Sequence, residues 1–550
     1  MSTLNALNIR VGQSSTPANN ITVNTDTSGD LVFNKGAPGA LTEITRIKNN
    51  GELAYTPAGT GAVATTVQSK LRESVSVKDF GAVGDGSTDD SAAIQAAIDA
   101  CVYTESKPYN STVYLPSGVY RLNSGILLKN AISLCGSGIS NTIINVYDIT
   151  NPAVSLESYS NIDGITFKYP NQVISGTPIQ YPPCISQAAT GGGADYTKIS
   201  NIRFMSTYIG ISLGVTGVGA GKVTIENIDG FPYKTGIEID RSYDNVRINN
   251  VHFNPSTQPF GDDLKNWVFN NGTAFLLKRA DSPQLSNILA YGYMNGLRLT
   301  NSPIGGGSAN MVQTTNFIFD ICKSPIVVDA CQDGVYFSNG ICTSTNNYLS
   351  LGSNGGPCGI GGGVGDNIYV NFSNVSFRHF YTAAVIATAN VYFSNCEFDD
   401  FNYLNTGGFY DAININAHNI SVNASNCRFN MEGRSGSRGI VSNTGITGVK
   451  VFLSGCEFNG AHVDVQDVYL FDDTCKLHAA SCLMPKGFYW NGIYGRLVGG
   501  NQFGTFAIPN GGTWDRGARF LNSYPAVGEP KGWICTVSGT PGTWVSEGNL

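Results

Sequence analysis

Charge is what this chain has least of. Lys, Arg, Asp and Glu together make up 13% of its 550 residues, about half the roughly 25% of an ordinary globular domain. What charge there is leans acidic, with a net −7 at pH 7. A nucleic-acid binder, whose footprint is a basic surface, is therefore excluded as a first reading. Long apolar runs are missing too, and MSTLNALNIR at the start has no apolar core of a secretion signal. Membrane insertion is not expected, and any route out of a cell is expected to be other than ordinary secretion. Histidine is scarce: His252, His379, His418, His462 and His478 are scattered without ligand spacing. The 13 cysteines include no CxxC pair, so neither a zinc site nor a redox motif is indicated. We expect no metal and no cofactor.

Asn, Ser, Thr and Gly take the place of the missing charge, a composition suited to stacked strands and tight turns. The clearest unit is Gly236 to Phe253, GIEIDRSYDNVRINNVHF. Ile237 and Ile239 alternate with Glu238 and Asp240, which predicts a strand with two apolar residues inward and two acids outward. Ser242–Asn245 is turn chemistry, Val246 and Ile248 resume the alternation, and Asn249-Asn250 turns again before Val251-His252-Phe253. A turn asparagine followed by a short apolar strand recurs at Asn161, Asn201, Asn227, Asn250, Asn287, Asn316, Asn339, Asn374, Asn395 and Asn426, with Gly455 substituting once. Asparagine and glycine both tolerate the left-handed region that a tight bend requires. Successive markers lie between 21 (Asn374 to Asn395) and 40 (Asn161 to Asn201) residues apart. That period predicts an all-β, right-handed parallel β-helix of about a dozen coils, none able to bury its apolar face alone. Cys396, Cys427 and Cys456 occupy one repeat position, in SNCEF, SNCRF and SGCEF, so they are expected to stack as reduced core residues. Three long spacings, 161 to 201, 250 to 287 and 339 to 374, put insertions on one side, where walls of a binding groove belong. The second contains Asp262, Asp263 and Trp267. The third, GSNGGPCGIGGGVGD, lacks the Lys-Ser/Thr ending of a phosphate cradle.

The ends differ from the repeat. Residues 1–74 are expected to form a small β-rich head and neck. Residues 75–111 hold a short amphipathic helix, with Asp89, Asp90 and Ser91 at its start and Ile94, Ala97, Ile98 and Cys101 along one face; it sits where a solenoid needs a cap. The repeat runs over 112–486. After that the period fails, and three of the five tryptophans fall between 514 and 544. VSVKDFGAVGDGSTDDSAAIQAAIDAC, with TVYLPSGVYRL after it, resembles the start of the pectate-lyase-like right-handed β-helices of bacteriophage tailspikes. RGARFLNS and PKGWICTVSGTPGTW resemble their short carboxy-terminal β module. The resemblance implies a homotrimeric virion protein assembled in the host cytoplasm and acting at the bacterial surface. It further implies a head bound to a phage tail, baseplate or adaptor protein, and a body that binds and cleaves bacterial surface polysaccharide, O-antigen or capsule. For the last module it implies trimer closure or carbohydrate contact.

Aligning coils gives one outward column of Ser212, Glu238, Leu276, Arg298 and Val327, and a second of Gly214, Asp240, Lys278, Thr300 and Asp329. Glu238 and Asp240, two residues apart on one strand, are roughly 6.7 Å apart along the backbone, compatible with the roughly 6.5–9.5 Å of an inverting glycosidase. Leu276 beside Glu238 favours a protonated acid, and Lys278 beside Asp240 favours a carboxylate base. The expected catalytic set is therefore Glu238 as acid, with Asp240 or Asp281 activating water; Asp281 lies in KRAD, which resembles an R-x-D phrase of related tailspikes. Arg298, Lys278, Arg279, Tyr243, Asp244 and Trp267 are the expected substrate contacts. The β-helix polygalacturonases carry GHG and RIK phrases in their catalytic coils; here GHG is absent and RIK falls in the head. An endo-acting glycoside hydrolase is the expected activity. A polysaccharide lyase, with Lys278 or Tyr243 as base and Arg298 neutralising a uronate, and a non-catalytic adhesin are the alternatives.

Overall fold

A computed structural model describes residues 9–11, 21–37, 40–101, 111–189, 193–215, 219–257, 260–344, 358–360, 369–380, 382–386, 390–400, 410–431, 436–460, 466–490, 493–498 and 502–550. Among these, nearly every element is a strand. The first four, Ile9–Val11, Ile21–Thr25, Leu31–Ala37 and Ala40–Ile47, make an antiparallel sheet of their own. Most later strands belong to one 21-stranded and one 19-stranded sheet. Strands two or three places apart in sequence pair in parallel along both sheets, the arrangement of a right-handed β-helix.

One coil shows how the sequence produces this. The strand Arg247–Phe253 lies in the larger sheet and bends at Asn250, whose φ is 52°. Chain then crosses to Thr273–Leu277 in the smaller sheet and returns to Gln284–Tyr291 in the larger one. The residues at the bend are left-handed in coil after coil: Asn201, Asn227, Asn250, Asn287, Asn316, Asn339 and Asn374. Their side-chain amides join neighbouring coils, as Asn250 donates to Asn227 at 2.7 Å and Asn227 to Asn201 at 3.1 Å. Asn161 does not take this place. Opposite Asn201 stands Gly164 (φ 71°), three residues on, because glycine adopts the bend without a Cβ penalty.

Inside, alternation delivers the core. Ile237, Ile239, Ile248 and Phe253 are inaccessible to solvent. Like side chains stack along the axis: the rings of Phe398, Phe429 and Phe458 have centroids 4.8 and 4.4 Å apart. Cys396, Cys427 and Cys456 are buried in a row that Cys482 extends, all as free thiols.

The helix Ser91–Ala100 buries Ile94, Ala97 and Ile98 in this core. Gln95 both donates to the carbonyl of Leu127 (3.2 Å) and accepts from its amide (2.8 Å), satisfying the edge of strand Ile126–Leu128. Asp90 stands at the N-cap but makes no side-chain cap bond. Its carboxylate instead accepts from the amides of Val83, Gly84 and Arg121, fixing the helix to the first coils.

The long spacings fall between a strand of the larger sheet and the next strand of the smaller one: 169–182, 254–272 and 344–357. The first two meet where Gly261 N–H donates to Ile174 C=O at 2.8 Å. The second carries the helix Asp262–Asn271. Most of the glycine-rich third insertion lies outside the described residues. Parallel pairing of coils ends at Phe488–Trp490; after it the strands pair mostly antiparallel, around a cluster of Trp490, Trp514, Phe520 and Trp544. No helix among the described residues is long and apolar enough to cross a membrane.

Candidate functional site

The first of the two expected columns is present in register: Ser212 pairs with Glu238, Glu238 with Leu276, Leu276 with Arg298, and Arg298 with Val327. Glu238, on strand Thr235–Ile239, keeps 13% of its side chain exposed, so it is reachable but sheltered. Its Oε2 accepts from Ser212 Oγ at 2.9 Å, and its Oε1 lies 2.6 Å from Lys278 Nζ. The ammonium corrects the expected environment. Lys278, expected beside Asp240, reaches across to Glu238 instead.

Asp240 differs more. It is fully buried, not outward. Oδ1 accepts from the amides of Arg241 (2.8 Å) and Arg279 (3.3 Å), and Oδ2 from Ser302 Oγ (3.0 Å). The strand ends at Ile239, so strict alternation ends there as well. Two turn amides need an acceptor at this corner, and the Asp240 carboxylate turns in to supply it. With no exposed surface it has no face for a substrate water in this conformation.

Arg279, Asp281 and Tyr243 do come together. Asp281 takes both arms of the Arg279 guanidinium, at 3.1 and 3.2 Å, and that pairing holds Arg279 still more firmly protonated. The guanidinium also covers the Tyr243 ring, 5.3 Å from its centroid. Backbone bonds fix the corner: Ser242 N–H donates to Arg279 C=O, and Asp281 N–H to Ser242 C=O. Asp244 lies on the solvent side, its carboxyl held low first by the Asn245 amide and then by Lys222, 3.4 Å away. Arg298, expected to meet a sugar, is paired with Asp329 at 2.7 Å on an exposed surface. Trp267 is on the helix of the second insertion, its ring 6.1 Å from that of Tyr208, away from the acids in sequence and packed against the core.

Several contributors escaped sequence reasoning. Ser302 reaches Asp240 from another coil, 62 residues away, and Ser212, a column neighbour of Glu238 by sequence, gives it a hydrogen bond that the column alone does not announce. Lys222 donates to Tyr196 Oη at 2.7 Å, which raises its affinity for a proton, and Tyr196 stacks on Tyr159 at 4.8 Å. Tyr159, Tyr196 and Lys222 are all left-handed, at φ 59°, 56° and 53°. They form a second bend column beside that of the asparagines. No cluster of metal-binding side chains occurs among the described residues.

Residues 74–174 match the family model of rhamnogalacturonase A/epimerase, pectate lyase-like. Over 79 residues the chain is 47% identical to alginate lyase 7 of Azotobacter vinelandii, a match covering 13% of this chain and 9% of that protein. Gene product 12 of bacteriophage phi29 shares the fold at TM-score 0.51 and 17% identity, over 78% of this chain and 58% of its own. Tailspike protein 3 of bacteriophage CBA120 aligns over 90% of this chain and 73% of its own, at 14% identity and TM-score 0.46.

Proposed function

We propose that this protein is a phage tailspike that binds a bacterial surface polysaccharide, O-antigen or capsule, on the outer face of the 19-stranded sheet and hydrolyses it internally. The observation that carries the reading is a part-exposed Glu238 held between Lys278 and Ser212, with the Asp281–Arg279–Tyr243 cluster on the neighbouring turns. Two carboxylates and four cation or hydroxyl partners on one outer face suit a polyhydroxylated polymer, and a long solenoid lets several sugar contacts assist the reacting one. Burial of Asp240 leaves Asp281 the water-activating role. Asp281 takes a proton from water as its oxygen attacks the anomeric carbon, and the glycosidic C–O bond breaks as Glu238 protonates the leaving oxygen. For that, Glu238 must hold a proton, so a bound sugar hydroxyl has to draw Lys278 away first.

In this reading residues 1–74 attach to the phage tail or its adaptor, the helix in 75–111 caps the solenoid, residues 112–486 carry the glycan site, and residues 487–550 close a homotrimer or touch carbohydrate. A second reading, a lyase on a uronate-containing glycan, is favoured by the Lys278–Glu238 contact at 2.6 Å, with Arg298 exchanging its Asp329 partner for the sugar carboxylate. Product analysis on host polysaccharide separates them. New reducing ends without an unsaturated-sugar chromophore, lost in Glu238→Gln, support hydrolysis. The chromophore indicates elimination, and an intact polymer indicates a non-catalytic adhesin.

A further inference from the structure

On the other side of Tyr243 from Arg279, a cavity of 390 Å³ is lined by Tyr196, Lys222, Tyr243, Asp195 and Asp244. We infer that this cavity is a sugar-binding subsite, and that the ring it takes is a neutral hexose-type residue of the polymer. The inference rests on the polysaccharide reading and adds to it a place and a charge class.

The walls have the two surfaces a neutral sugar presents to. Tyr196 and Tyr243 are about half exposed, at 48% and 54%, and such rings receive the apolar C–H face of a pyranose. Each is held from behind: Tyr196 by the parallel ring of Tyr159, Tyr243 by the Arg279 guanidinium. Little rotamer freedom is left to lose on binding. The floor is kept open by missing side chains. A Cβ on Gly219 would lie 3.1 Å from two atoms of the Tyr243 ring, and one on Gly221 would lie 3.2 Å from Asp195 Oδ1.

The polar groups decide the charge class. Asp195 accepts from Gly221 N–H at 2.6 Å, and Asp244 from Asn245 N–H at 2.7 Å. Lys222 is the only cation lining the cavity among the described residues, and it is already shared between Asp244 and Tyr196 Oη. Two carboxylates against one ammonium leave the cavity net negative. Carboxylates accept well from sugar hydroxyls but repel a uronate.

The test uses the full-length protein and a panel of purified bacterial O-antigen and capsular polysaccharides, half neutral and half containing uronic acid. Tyr196→Ala and Gly221→Leu are compared with wild type by titration, their folding checked by thermal melt. Losing roughly 50 Å² of apolar contact predicts about tenfold weaker binding of whichever glycan the wild type takes. Tyr196→Phe, which keeps the ring, stays within about threefold. Saturation-transfer NMR on the bound oligosaccharide identifies the residue whose signal Tyr196→Ala removes, and that residue is neutral. A glycan bound equally by wild type and both cavity variants overturns the subsite and leaves the polysaccharide reading standing. A uronate signal lost in Tyr196→Ala overturns the charge class, and binding of no glycan overturns subsite and reading together.

Discussion

Asp467→Asn tests how burial sets the pH response of the solenoid. Asp467 precedes the strand Val468–Leu470 and is fully buried. Its Oδ2 accepts from the amides of Lys486 (2.9 Å) and Gly487 (3.0 Å), while Oδ1 has no hydrogen-bond partner among the described residues. Burial pushes the carboxyl up from 3.8 to about 7, against the opposing pull of both amides and the Lys486 charge. An unfolded chain releases this proton near 3.8 and the folded chain keeps it until about 7. The stability it contributes is therefore whole at low pH, falls as pH rises through that window, and is level above it. At about 1.36 kcal/mol per pH unit the loss is at most about 4 kcal/mol. Divided by an unfolding entropy of about 2.1 cal/mol/K per residue over the chain, that is about 3 °C in Tm. Asparagine removes the charge penalty and keeps an acceptor for the two amides. The expected result by scanning calorimetry is a variant that melts about 3 °C above wild type at pH 8 and no higher at pH 4. A difference between the two proteins that is the same at both pH values refutes the reasoning.

Other outcomes follow from the same structure. Ser302→Ala removes a donor from the buried Asp240 carboxylate and should cost about 1.5–3 kcal/mol in a denaturant titration. Phe429→Ala empties the middle of the Phe398–Phe429–Phe458 stack and should cost about 3–5 kcal/mol. Glu238→Gln should lower the rate of polysaccharide cleavage by about 100-fold or more with glycan binding retained, as should Asp281→Asn; wild-type rates in both remove them from the chemistry. Asp240→Asn should instead show its main effect in thermal stability, because its oxygens serve the fold.

The parts of this architecture that repeat were open to sequence reading. Ile237 and Ile239, the Asn-marked bends and the cysteine row follow from period-two alternation and from the backbone tolerance of Asn and Gly, which are local properties. The register Ser212–Glu238–Leu276–Arg298–Val327 followed because parallel strands fix whole columns at once. What did not follow lies where the strand stops. Asp240 is one residue past Ile239, and its direction is set by the amides of Arg241 and Arg279, the latter 39 residues away. Lys278 reaches Glu238 on a long flexible stem, and its strand position alone does not name that partner. Gly164 replaced Asn161 at the bend because either residue suits a left-handed turn, so SNIDG carries two equal candidates three residues apart. The Tyr159–Tyr196–Lys222 column joins residues 37 and 26 apart in sequence, and no pair of those residue types signals contact without the coil register.

The outer face of the 19-stranded sheet is the proposed place where the polymer is cut. A crystal structure of the Glu238→Gln protein with an oligosaccharide of the host glycan tests it most directly. The account predicts sugar density across the strands Thr235–Ile239, Thr273–Leu277 and Asn295–Leu299, with the scissile linkage between residue 238 and Asp281. Density confined to the 21-stranded face or to the carboxy-terminal module, with none against Glu238→Gln, contradicts it.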